Sequence, residues 1–262
     1  MSFLPPPMLT QRPHIVAHLD FLGAREKMRS PQDSEKFLQQ INDIYTKVDS
    51  DLSRFVKAIQ RTMKVRIFSD NILLAINPEQ ETNFFVDFIR MARFCTMFQL
   101  LALTKGLFVR GAITYGDFIA NDVFVFGAAL VNAYEAETTR AIYPRTIIDT
   151  TVFAQLPEHR RKIVVKNDFL SELLKCDFDG QWYVSPFGIT PPHASFIDKT
   201  MYLKKAKESI FQEYKNSTKE EHKQKYFWLI QKFNEFCNRS QDYQDLRIPL
   251  SECDPNLTEV ML

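Results

Sequence analysis

Hydrophobic positions along this chain follow two periods. Over Pro31 to Lys57, Phe37, Ile41, Ile44 or Tyr45, Val48, Leu52 and Phe55 or Val56 recur every three or four residues, with Ile59 continuing the stripe. That spacing predicts an amphipathic helix with one face on a core. A second stripe, Phe84, Phe88, Met91, Cys95 and Phe98, predicts another helix from about Glu81 to Thr104, closed by Lys105-Gly106. Between them "KVRIF" and "ILLAINP" are separated by "SDN", which predicts a β-hairpin with Asp70 at its tip. Upstream, "HIVAHLDFLGA" reads as a strand ending in a glycine turn. Downstream, "LFVRGAITYGDFIANDVFVFG" alternates as two strands joined by a turn around Gly116 to Asn121. "GAALVNAYEAETT" reads as a helix, "RTIIDTTVFA" as a strand leading into a short helix, and "FDGQWYVSPF" as a further strand.

The order β-α-β-β-α-β-β-α-β predicts an α+β fold: a mixed, mainly antiparallel sheet with helices packed on one face, like an elaborated ferredoxin fold. The character changes from about Ala194. "FIDKTMYLKKAKESIFQEYKNSTKEEHKQKYFWLIQKFNEFCNRS" predicts two charged amphipathic helices broken near Asn216 to Thr218. The expected division is therefore a first domain over 1–190 and a C-terminal helical hairpin over 191–262, ending in a loosely held tail. There is no internal repeat and no low-complexity block.

Composition narrows the function classes. A net charge of +1 over 262 residues supplies no general basic field for nucleic acid or an anionic membrane. Cys95, Cys176, Cys237 and Cys253 show no metal-ligand or CxxC spacing, and "MSFLPPPMLTQRP" lacks the pattern of a signal peptide. No apolar run reaches the roughly 20 residues of a membrane span. A cytoplasmic protein is expected.

Within this ordinary composition one residue is out of place. Asp20 sits in an apolar strand, where an unpaired carboxylate costs several kcal/mol or takes up a proton. If the first strand lies beside the hairpin, Asp20 approaches Asp70, and two such charges repel. A divalent cation resolves both problems, because one or two carboxylates plus substrate phosphates are a common Mg²⁺ environment. Read from the residues alone, Asp70 is equally a turn former and Asp20 a partner for amides of the Gly23 turn.

The order "LDFLG", "RIFSDNILLAI", "VRGAITYG" and "FGAALVNAYEAE" resembles the class III nucleotide cyclases. That family carries Asp-Ile-x-Gly, then a Gly-Asp hairpin tip, then an arginine leading into Ile-x-x-Gly, then a motif ending in Val-Asn. The resemblance spans roughly residues 14 to 150. "FSDN", "AYEAE", "YPRTIID" and "KYFWLIQKFNEF" are most similar to the pyrimidine cyclases of the Pycsar antiphage system. The resemblance implies that Asp20 and Asp70, with the Phe21 carbonyl, hold two Mg²⁺ or Mn²⁺ ions. It implies that amides at Leu22, Gly23 and Ala24 cradle phosphate, that Arg110 grips the β- or γ-phosphate, and that Asn132 orients the ribose. Arg66 stands where purine cyclases have a base-reading lysine, and its planar fork suits pyrimidine carbonyls.

Two departures matter. Phe124 replaces an aspartate that would accept from an adenine amino group, and Ala136 replaces the arginine that stabilises the transition state. Arg140 and Arg145 are the candidate substitutes. The implied activity is conversion of UTP, or alternatively CTP, to the 3′,5′-cyclic monophosphate and pyrophosphate. Two subunits of a homodimer would share each active site, and a separate cyclic-nucleotide receptor would read the product. An inactive nucleotide-binding module is the rival expectation, and a helical partner-binding scaffold over residues 194 to 238 ranks last because it leaves both aspartates unexplained.

Overall fold

The structure, a computed structural model, describes residues 10–55, 63–78, 81–121, 123–188 and 196–253. In chain order the elements begin with β1 (Arg12–Phe21), α1 (Ala24–Lys27), α2 (Pro31–Phe55), β2 (Lys64–Phe68), β3 (Asn71–Ile76), α3 (Glu81–Leu103), β4 (Val109–Ala120), β5 (Val125–Phe126) and α4 (Ala128–Arg140). They continue with β6 (Thr146–Ile148), α5 (Thr150–Ala154), α6 (Glu158–Lys166), α7 (Asp168–Leu173), β7 (Leu174–Cys176), β8 (Trp182–Val184), α8 (Phe196–Asn216) and α9 (Glu220–Asn238). The sheet runs β2-β3-β1-β4-β6-β8-β7, with β5 paired to the end of β4. Every neighbouring pair is antiparallel except β4 and β6. This is the expected α+β architecture with its C-terminal helical hairpin.

β1 is central and covered on both faces, which is why it reads as a continuous apolar run rather than an alternating one. Its odd-numbered side chains, Ile15, Ala17, Leu19 and Phe21, pack with Ile72, Leu74, Val109 and Ile113 beneath α2 and α3. The α2 stripe Phe37, Ile41, Ile44 and Val48 and the α3 stripe Phe84, Phe88, Met91, Cys95 and Phe98 are buried there as the spacing predicts. At the end of α3, the Leu107 amide donates to the Ala102 carbonyl at 2.9 Å across Gly106, whose φ of 68° closes the helix.

Helices cover both faces, which corrects the expectation of one. α4 lies on the second face, where Ala129 and Ala133 meet Val16, Leu73, Ala75 and Phe118. α8 and α9 cover the rest of that face: Leu203, Ala206, Ile210, Leu229 and Phe233 share one core with Ala112, Ile147, Tyr183 and Phe187. The boundary expected at 190/191 lies outside the described residues. The segment over 241–253 is not loose, since Tyr243, Leu246, Ile248 and Leu250 are buried in that core and Asn234 exchanges 2.8 Å hydrogen bonds with Ile248.

The expected turn at Gly116 to Asn121 is also corrected: β4 runs unbroken through Gly116 to Ala120. Gly116 presents no side chain to the overlying helix, so Ala129 packs directly on the strand; a Cβ there would lie 3.6 Å from Ala129. The chain reverses instead at Asn121, whose side-chain Oδ1 accepts from the Val123 and Phe124 amides. No helix among the described residues is long and apolar enough to cross a membrane. All four cysteines are free thiols.

Candidate functional site

Antiparallel pairing sets Asp20 of β1 opposite Asn71 of β3 on one side and Arg110 of β4 on the other. The hairpin tip is tied to β1 by the Phe21 amide, which donates to the Asp70 carbonyl at 3.2 Å. Asp20, Asp70 and Arg110, far apart in the chain, therefore come together at one end of the sheet; strand pairing led one to expect the first two together, and the resemblance implied the third. Ser69 at the tip takes a positive φ of 56°, and the Asn71 side chain donates to Asp70 Oδ1 at 3.1 Å.

Arg110 Nε donates to Asp20 Oδ2 at 3.2 Å. The same Nε lies 2.5 Å from Oε1 of Glu137, an ion pair supplied by α4 from above. Glu137 is 1% exposed, and behind it His18 Nδ1 stands 3.9 Å from its Oε2. Burial pushes the Glu137 carboxyl up to about 7, against the pull of Arg110 and with the help of the Asp20 and Asp70 charges. Burial likewise raises Asp20, and burial with the Arg110 charge drives His18 down to about 4, leaving its ring neutral near pH 7.

Asp20 and Glu137 thus share one guanidinium with Asp70 nearby, leaving two negative charges uncompensated once Glu137 is ionised. That deficit, and an all-oxygen donor pair in Asp20 and Asp70, suits a hard divalent cation whose remaining positions are filled by water or phosphate. No cluster of three or more metal-ligating side chains exists among the described residues, so such a cation would need its ligand to complete the shell.

The other expected residues divide. Gly23 has φ 73° and ψ 16°, the left-handed turn that lets β1 pass into α1. The Leu22 amide is not available to cradle phosphate, because it donates to the Phe108 carbonyl at 2.8 Å; the Gly23 and Ala24 amides have no backbone acceptor among the described residues. Phe21 and Ala24 turn their side chains into the core. Arg66 shares the Asp20 face, but its guanidinium donates to the carbonyls of Val65 and Asn121 at 3.1 and 3.2 Å, away from Asp20. Asn132 lies on the exposed side of α4.

Arg140, at the end of α4, is ion-paired with Asp149, the residue that caps α5 through the Thr151 amide. Arg145 is removed from the site altogether: it is 0% exposed, paired with Asp177 and Asp179, and enclosed by the rings of Tyr143, Tyr183 and Trp228. All of these but Tyr143 come from distant parts of the chain, so a polar arginine in a short "YPRT" linker gave no sign of burial. Ala136 is 2% exposed and packs into the helical core.

Glu137 and His18 are the members of the cluster that sequence reasoning missed. The signal was present: Ala129, Ala133 and Ala136 form the buried stripe of α4, and Glu137 falls on it. α4 itself starts at Gly127, where φ is 142° and an added Cβ would meet the Asp117 carbonyl oxygen at 2.3 Å, so only glycine lets the helix begin so close to β4.

No protein-family model and no curated protein matches the chain. Among solved structures, it is similar to the monomeric guanylyl cyclase domain of a RhoGC fusion protein from the aquatic fungus Blastocladiella emersonii, at 13% identity and a TM-score of 0.43 over 67% of this chain and 98% of that one. It is similar to a bacterial light-regulated adenylyl cyclase at 12% identity and a TM-score of 0.40, over 76% of this chain and 100% of that one. A class III adenylyl cyclase-like ATP-binding protein from Pseudomonas aeruginosa aligns at 11% identity and a TM-score of 0.40, over 60% of this chain and 37% of that one. These likenesses are distant, and the chemistry of the site is read from its own side chains.

Proposed function

We propose that this chain is a metal-dependent nucleotide cyclase of the class III type that converts a pyrimidine triphosphate, UTP in preference to CTP, to its 3′,5′-cyclic monophosphate and pyrophosphate. The observation that carries this reading is the meeting of Asp20 and Asp70 beside Arg110, where acidic groups outnumber the one guanidinium. Asp20, Asp70 and the Phe21 carbonyl would hold two Mg²⁺ or Mn²⁺ ions, which supply charge neutralisation of the triphosphate and acidification of the ribose 3′-hydroxyl. Arg110 binds the β- or γ-phosphate, and the Gly23 and Ala24 amides add donors to phosphate oxygens. Arg66, once it exchanges the Asn121 carbonyl for the base, reads pyrimidine acceptors.

Asn132, exposed on α4, serves the site of a second copy in a homodimer, where it orients the ribose. Arg140 is the remaining candidate for the transition-state charge, released from Asp149. Resemblance to the Pycsar pyrimidine cyclases extends the reading to a cytoplasmic antiphage enzyme whose cyclic product acts on a separate receptor. A second reading, an inactive nucleotide-binding module, is favoured by the buried Ala136 where the family has its arginine.

One experiment separates them. The purified protein is incubated with Mn²⁺ and each of the four ribonucleoside triphosphates, and products are identified by mass spectrometry. Cyclic UMP as the dominant product is expected. Triphosphate binding without any cyclic product establishes the inactive module instead.

A further inference from the structure

A buried ion pair made for stability alone usually engages an arginine through its two terminal nitrogens, fork to fork. Arg110 is held otherwise. Both of its carboxylate contacts, to Asp20 Oδ2 at 3.2 Å and Glu137 Oε1 at 2.5 Å, converge on Nε. Nε carries a single hydrogen, so one donor is shared by two acceptors. Glu137 Oε1 is correspondingly a buried oxygen without a well-directed hydrogen bond, and His18 Nδ1 behind it is another such atom. The Nη1 and Nη2 groups, with four N–H donors between them, have no partner among the described residues. The side chain of Arg110 is 23% exposed, whereas that of Glu137 is 2% exposed.

We infer that Glu137 is a positioning residue, which holds Arg110 by Nε from inside α4 so that the terminal fork stays available to a phosphate group of the substrate. The inference rests on the reading of the site as a triphosphate site. Its logic is a change of partner: were Asp20 to hold a cation, the Nε–H would donate to Glu137 alone, and the guanidinium would keep a fixed counter-ion with its fork free for the ligand. Glu137 suits the task because it is anchored on a helix whose Ala129, Ala133 and Ala136 stripe is packed on the sheet, with the buried His18 ring 3.9 Å behind its Oε2. Asp20 could not serve both roles, since a carboxylate that holds a cation cannot also remain the arginine's principal partner.

The test uses binding, which does not depend on turnover. The α,β-methylene analogue of UTP, which cannot lose pyrophosphate, is titrated calorimetrically with Mn²⁺ into the full chain and into Glu137→Gln, Arg110→Ala and the double variant. Loss of one charge-assisted hydrogen bond to the arginine predicts that Glu137→Gln weakens binding about tenfold in the wild-type background. In the Arg110→Ala background the same substitution changes binding by less than about twofold, because there is no guanidinium left to hold. Equal weakening in both backgrounds, or none in either, overturns the inference. Should Glu137→Gln not fold, Glu137→Asp, which withdraws the charge by one methylene, is expected to show the same dependence on Arg110, and additive losses there overturn it. Absence of binding by the wild-type chain overturns both this inference and the proposed function, whereas binding with the predicted coupling but no cyclic product from UTP itself leaves the inference standing and removes the cyclase.

Discussion

Replacing Arg145 by methionine distinguishes a buried structural arginine from a catalytic one. The guanidinium bridges Asp177 and Asp179 and lies 5.3 to 5.7 Å from the ring centroids of Tyr143, Tyr183 and Trp228, fixing the start of β6 against α9. Removing one partner of a buried ion pair costs about 3–5 kcal/mol because the other charge is stranded. Here Asp177 keeps three donors, Trp228 Nε1 at 2.8 Å, the Phe178 amide at 3.0 Å and Lys232 Nζ at 3.1 Å, and Asp179, whose side chain is 27% exposed, can rehydrate. The loss therefore falls at the lower end, about 3 kcal/mol, and methionine keeps much of the contact with the three rings. For a chain of this size each kcal/mol lowers the melting temperature by about 2–4 °C, so a fall of about 10 °C is expected. Thermal and urea melts measure it, with kcat and KM recorded well below the transition. A stability loss under about 1 kcal/mol, or a collapse of turnover at unchanged melting temperature, would refute the structural assignment and return Arg145 to the reaction.

Four other outcomes are open to measurement. Asp70→Asn should abolish cyclic-nucleotide formation while leaving the melting temperature within about 1 °C, since its side chain lies at a hairpin tip; near wild-type turnover would remove the two-metal reading. Gly127→Ala should destabilise by about 2–3 kcal/mol, from left-handed strain and the clash with the Asp117 carbonyl, and a stable variant would show that α4 can start elsewhere. Without divalent cations, stability should decline as pH rises from the ordinary glutamate range through about 7, then level off: in that window native Glu137 keeps a proton that the unfolded chain has released. Glu137→Gln should flatten that decline, as followed by urea melts at a series of pH values. Mixing the inactive variants Asp20→Ala and Asn132→Ala should restore part of the activity through hybrid dimers, and no rescue under demonstrated subunit exchange would count against a shared site.

Much of the fold was legible in the chain itself. The stripe Phe84, Phe88, Met91, Cys95 and Phe98 needs only the helical period to be read, and the apolar run around Asp20 marks a central strand because every neighbour of that carboxylate prefers burial. The approach of Asp20 to Asp70 was also accessible, since a strand paired beside a hairpin brings its end to the hairpin tip, whereas Arg110 was placed there only by the resemblance. Less legible was β4, where Gly116 looks like a turn in sequence and is instead a mid-strand position on which Ala129 of the overlying helix packs.

Tertiary structure alone decided which arginines are free. Arg110 and Arg145 both sit beside β-rich runs and are indistinguishable by pattern. One ends partly exposed beside Asp20 and Glu137, and the other is sealed between Asp177, Asp179 and three rings drawn from β8, α9 and the loops beside β6 and β7. Burial of a charge depends on partners brought from remote segments, and its energy is set by desolvation, which no local period encodes. For the same reason Glu137 reads as one more acid in "AYEAE", and becomes the counter-ion of Arg110 only once the small face of α4 has closed over β1 and β4.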